Sequence, residues 1–189
     1  MKNNLKFLAL FLSTALVFTS CSNDDAPVNE EEVITTVIVT LTGGGQTITL
    51  TSRDLDGDGP NAPILTPIGG GILSSNTTYT GNVKFLNELE DPAEDITIEV
   101  EEEGAEHQVF FQLLSSLGTV TYNDTDENGN PIGLSFTLTT GNTAGTGNLT
   151  VTLRHEPNKT ASGVASGDIT NAGGSTDAEV SFPIQVNVI

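Results

Sequence analysis

From Val33 onward the sequence is a series of short runs in which β-branched and apolar residues alternate with polar ones. No other feature constrains the fold as much. Successive side chains of a strand point to opposite faces, so a period of two buries one face and wets the other. The runs are VITTVIVTL, QTITLTS, TYTGNVKFLNEL, DITIEVEEE, HQVFFQLL, TVTYND, GLSFTLTT, GNLTVTLR and AEVSFPIQVNVI. Thr, Val and Ile fill them, and such residues suit a pleated surface. Gly, Asn and Asp separate most of them, as turns require, and no segment carries a helical period. About nine short strands at this spacing predict an all-β fold, an antiparallel sandwich of Ig-like or Greek-key kind, as a single domain over residues 33–189.

The first 20 residues belong to something else. Lys2 and Lys6 precede an apolar stretch, Leu5 to Phe18, that suits a signal peptide and is short for a membrane-spanning helix. Thr19 and Ser20 lead into Cys21, the single cysteine of the chain, so no internal disulfide can form. The arrangement resembles a bacterial lipoprotein signal, with Phe18 where Leu is usual. The resemblance implies cleavage before Cys21 and lipidation there, hence a membrane anchor. The acidic SNDD behind Cys21 looks like lipoproteins of the Bacteroidetes group and implies an outer-membrane, surface-exposed protein. Residues 21–32 then read as the lipidated Cys and a flexible acidic tether.

Charge excludes one class of partner. The chain has 25 acidic and 6 basic residues, a formal net charge of −19. Such a surface repels phosphate backbones, so nucleic acid is not an expected partner. Trp is absent and most aromatic rings lie in strand-like runs, which disfavours a sugar-binding platform. The catalytic signatures GxSxG, HExxH and the phosphate loop do not occur, and the chain is not expected to be an enzyme.

Two histidines carry the metal chemistry. His107 follows the acidic run EEEGAE, and pairing 96–103 with 107–114 through a type II′ turn at Gly104-Ala105 sets Glu102 opposite His107. In NLTVTLRHEP, Leu149, Val151 and Leu153 share one face and His155 is next in that series. Both histidines thus extend core-facing series to a rim, and together with Glu102 they form the expected zinc site. The long Gly- and Ser-rich loop after His155 offers Asp168 as a further ligand, with Asp177 competing. Two other loops open like calcium loops, with oxygens at alternate positions before Gly: Asp54, Asp56, Asp58 and Asp124, Asp126, Asn128. Their twelfth positions hold Leu65 and Ser135 rather than Glu, and ordinary turn duty explains them better.

The stretches EEEGAEHQVFF and LRHEPNKTASGVASGDITNAGGSTD resemble a family of small flavobacterial lipoproteins that often accompany TonB-dependent outer-membrane receptors. The resemblance covers nearly the whole chain after the leader. It implies an accessory role in nutrient or metal capture. The leading expectation is therefore an envelope binding module that captures Zn²⁺ for such a receptor. The alternatives are a structural or adhesive sandwich, bare or with Ca²⁺-stiffened loops, and haem capture with His107 and His155 as axial ligands.

Overall fold

The computed structural model describes residues 32–57 and 59–188. Cys21, the leader, the tether before Glu32, and Asp58 lie outside the described residues. The compact unit that contains the strands runs from Glu31 to Ile189.

Ten strands and one short helix follow in order: β1 (Thr36–Gly43), β2 (Gln46–Arg53), β3 (Ile64–Thr66), β4 (Gly71–Ser74), β5 (Thr78–Leu86), α1 (Ile96–Glu102), β6 (His107–Gln112), β7 (Gly118–Tyr122), β8 (Ser135–Thr140), β9 (Gly145–His155) and β10 (Ser175–Asn187). They build an all-β sandwich of two sheets. One has the order β3-β2-β1-β5-β8-β7 and the other β4-β10-β9-β6. The first is antiparallel throughout, whereas β4 runs parallel to β10 in the second.

The alternation does what it predicts. In β5, Tyr79, Gly81, Val83 and Phe85 are buried while their neighbours face outward. Val37, Val39 and Leu41 of β1 join them, and Leu149, Val151, Leu153, Phe182, Ile184 and Val186 close the core from the other sheet. Gly81 pairs with Phe136 across the ladder, and a Cβ at Gly81 would stand 2.3 Å from that ring. The ring fills the space a side chain at position 81 would need.

One expected strand is a helix. DITIEVEEE does not pair with β6; its Ile96–Glu102 segment forms α1, capped by the Asp95 side chain, which accepts from Thr97 N. Ile96 and Val100 are buried, four residues apart, while Ile98 is 57% exposed. That is a helical face, and the alternation of Ile96, Ile98 and Val100 is coincidental. β-Branched residues are only mildly unfavourable in a helix, and packing overrides the difference. The Thr97 hydroxyl accepts from Phe85 N and donates to Phe85 O, serving the β5 edge where β8 has ended. The expected hairpin is therefore absent, and Gly104 is not in the left-handed region. It is still crowded, since a Cβ there would lie 2.6 Å from Ile132 Cδ1. Conversely, β3 and β4 had no counterpart among the expected strands, because three and four residues are too few to display a period.

The run His107–Phe110 is buried without alternation, which requires cover on both faces. Val109 faces the main core. Phe110 packs outward against Val164 and Ala172 of the long loop after His155, and Gln108 Nε2 donates to Val164 O at 3.0 Å. That loop is ordered by short 3-10 turns at Val164–Ser166 and Ile169–Asn171. It lies on the outer face of β6 rather than across the end of the sandwich.

Candidate metal centre

Register brings the two histidines together. His107 opens β6, His155 closes β9, and the two residues are direct cross-strand partners. Their rings stack with centroids 4.7 Å apart and planes at 27°. Stacked rings at that spacing leave no room for a porphyrin between them, so the bis-histidine haem arrangement does not fit this geometry.

A third element supplies a carboxylate through a break in its register. β10 pairs with β9 with Ser175 opposite His155 and Ala178 opposite Leu153, and the register shifts between Thr176 and Ala178. Ala178, Val180 and Phe182 continue the inward series, so strict alternation would turn Asp177 outward. The bulge supplies an extra residue and re-aims the side chain. Asp177 Oδ2 consequently lies 4.0 Å from His107 Nε2, with its side chain 1% exposed. Gly174 makes this approach possible. Its φ is +69°, and a Cβ there would fall 2.1 Å from His155 O.

The fourth element is the segment just ahead of β1. Glu32 Oε1 lies 2.7 Å from His107 Nε2, and Oε2 lies 4.0 Å from His155 Nδ1. Glu32, His107, His155 and Asp177 each bring one potential ligand atom into a group whose members all lie within 4.8 Å of one another. The side chains of Glu32, His107 and His155 are 4%, 0% and 8% exposed.

The hydrogen bonds orient the ligands. His107 Nδ1 donates to Glu103 O at 3.3 Å. A carbonyl only accepts, so Nδ1 is the donor here, and Nε2, which meets Glu32 Oε1 at 2.7 Å, is the nitrogen turned into the group. An outer hydrogen bond of this kind is what fixes the tautomer of a metal-bound histidine. His155 Nδ1 and Glu32 Oε2 are buried with no hydrogen-bond partner, an expensive state for polar atoms unless something else satisfies them. Negative charge accumulates around the group as well. The Glu99 carboxyl on α1 is pushed up first by burial and then by the charges of Glu103 and Glu32.

These donors fit a divalent metal. Ligands about 2.0–2.1 Å from a tetrahedral zinc stand about 3.3 Å from one another. Ligand atoms within 4.8 Å of one another reach that spacing by shifts of up to about 1.5 Å. Two carboxylates would balance the two charges of such an ion.

The expected set is therefore corrected in two members. Glu102 lies exposed on α1 and is not in the group. Asp168 is exposed on the outer loop, where its side chain accepts from Thr170 N at 2.9 Å and caps a 3-10 turn. Glu32, assigned to the tether, and Asp177, named only as a competitor, take their places. Asp177 had the signal of proximity to β9 in the loop, but period-two reasoning cannot foresee a bulge. Glu32 had none.

The second calcium-like loop binds a cation of its own chain. Asp124 accepts from Gly133 N and Ser135 N at 2.8 and 2.9 Å. Asp126 Oδ1 accepts from Asn128 N and Asn130 N, both at 2.9 Å, and Oδ2 receives Lys159 Nζ at 3.0 Å. Lys159 is buried and also donates to Pro131 O at 2.9 Å and to Gly104 O. Its ammonium stands where a bound cation would, and Asn128 contributes a backbone NH rather than a ligand oxygen. In the first loop, Asp54 Oδ1 accepts from Asp56 N, and Asp56 Oδ2 accepts from Asn61 N and Nδ2, which is turn chemistry. Among the described residues, neither loop contains a group of three carboxylates or histidines within metal-binding reach.

Comparison with known protein families, with characterised proteins and with solved structures finds no match for this chain.

Proposed function

We propose that this protein is a binding module of the cell envelope that holds one divalent transition-metal ion, Zn²⁺, through Glu32, His107, His155 and Asp177. The observation that carries the reading is the convergence of these four donors, from four separate segments, within 4.8 Å of one another and with their side chains buried. Titrating Zn²⁺ into the full chain by calorimetry tests it. One site per chain is expected, with Ca²⁺ failing to compete and with affinity falling at acid pH because protons compete for the same lone pairs. Weak binding at many sites would leave only a diffuse acidic surface.

The envelope address and the partner rest on the leader and on the flavobacterial resemblance. Lipidation at Cys21 anchors the domain at the outer membrane, where it serves a TonB-dependent receptor. Labelled fatty acid is expected in the wild-type chain and not in Cys21→Ala; equal labelling of both would remove the anchor.

The burial of all four donors favours a second reading. A closed four-ligand site is the structural kind of zinc site, so the metal would stiffen a surface or adhesive sandwich rather than be delivered. The rate of zinc release separates the two.

A further inference from the structure

The four donors are not held equally. His107 and His155 are paired with each other in the β6–β9 ladder, and Asp177 is the bulged residue of β10 between Thr176 and Ala178, which both pair with β9. Glu32 belongs to no strand. The first backbone hydrogen bond of its segment among the described residues is made by Thr35, whose NH donates to Leu86 O at 2.9 Å. Between them, Val33 is 53% exposed, and Ile34 packs against the core. The Glu32 carboxylate reaches across 75 positions of sequence to His107. Its side chain is 4% exposed, so the carboxylate is buried with the group.

We infer that Glu32 is the gate of the metal centre. The metal enters and leaves by displacement of this one ligand, while the three donors carried by strands keep their places. Occupancy therefore fixes the segment ahead of β1, and loss of the metal frees it. This rests on the zinc reading and adds to it a route of exchange. Local opening is drawn from parts of a structure with few hydrogen bonds and little packing, and the Glu32 segment meets that description where the ladders do not. Glu32 Oε2, buried without a hydrogen-bond partner, is satisfied by the ion when the site is filled and by water when the segment opens.

The test uses the full chain, zinc alone as ligand, and two readouts. The first is the rate at which a strong chelator withdraws zinc. The second is cleavage by a protease specific for glutamate after Glu30 or Glu31, identified by mass. In wild type, zinc is expected to slow that cleavage at least tenfold. In Glu32→Gln, zinc still binds at one site, leaves at least tenfold faster, and no longer slows the cleavage. In Asp177→Asn, zinc binds more weakly, yet at saturation it still protects the segment. Protection lost equally in both variants would overturn the gate, as would Glu32→Gln releasing zinc at the wild-type rate or binding none at all. Failure of wild type to bind zinc would instead remove the metal reading on which the gate stands.

Discussion

Saturating Zn²⁺ is expected to raise the unfolding midpoint of the full chain by about 10 °C, and His107→Ala or His155→Ala is expected to abolish the rise. The ligands lie at positions 32, 107, 155 and 177 and meet only in the folded chain. The ion therefore binds the native state and hardly the unfolded one. At about a thousand times its dissociation constant, such a ligand adds roughly 4 kcal/mol. For a domain of this size each kcal/mol moves the midpoint by about 2–4 °C. Each alanine variant also empties part of a buried site and lowers the metal-free midpoint, so the diagnostic quantity is the difference with and without zinc in the same protein. A rise of equal size in wild type and in either alanine variant would place the metal elsewhere. No rise in wild type would leave the buried donors to one another.

Lys159→Met is expected to cost about 3–5 kcal/mol, measured by urea unfolding, because it removes one partner of a buried ion pair and leaves the other. The side chains of Lys159 and Asp126 are 4% and 1% exposed, and the ammonium also serves the carbonyls of Gly104 and Pro131. Burial pulls the Lys159 pKa down, with Asp126 and Asp124 opposing it. For Asp126, burial pushes up, but the Asn130 amide and the Lys159 ammonium outweigh it and hold the carboxyl below its ordinary 3.8. A lowered folded pKa means stabilisation that is complete above the unfolded value and is lost as the pH falls through the folded one. Wild type should thus lose more stability than Lys159→Met on acidification below about pH 4. Combining Lys159→Met with Asp126→Leu should cost less than the sum of the two single changes, since residues in one network are coupled. Strict additivity, or a loss under 1 kcal/mol in Lys159→Met, would refute the internal-cation account.

The two effects share an origin in the way the sandwich treats charge at its rim. The calcium-like loop solves the problem covalently, since Lys159 is a cation the chain always carries. The histidine group solves it with donors alone, and so depends on what the solution supplies. The contrast accounts for the use of Asp124, Asp126 and Asn128 in turns, the reading that outweighed the calcium pattern in the sequence. The alternating oxygens are real, but turn amides and the Lys159 ammonium use them.

The sequence by itself determined the sandwich and the inward-facing place of each histidine, while the β6–β9 pairing that joins them is tertiary. Alternation in β1, β5, β9 and β10 decides which residues face inward, because a strand has only two faces and burial rewards one choice of register. The same rule places His107 after Glu106 and before Val109, and His155 after Leu153, on inward-facing series. Where a second force acts at short range, the pattern stops being legible. Residues 96–102 alternate like a strand and fold as a helix, because Asp95 caps them and the bare edge of β5 takes Thr97. Asp177 points inward only because β10 bulges beside β9. Glu32 enters the site only because the fold sets the segment ahead of β1 beside His107 and His155. Strand periodicity is local and is written in neighbouring residues. A metal-ligand set is a coincidence of points in space, and only the tertiary structure, by closing long loops against one another, decides which carboxylates arrive there.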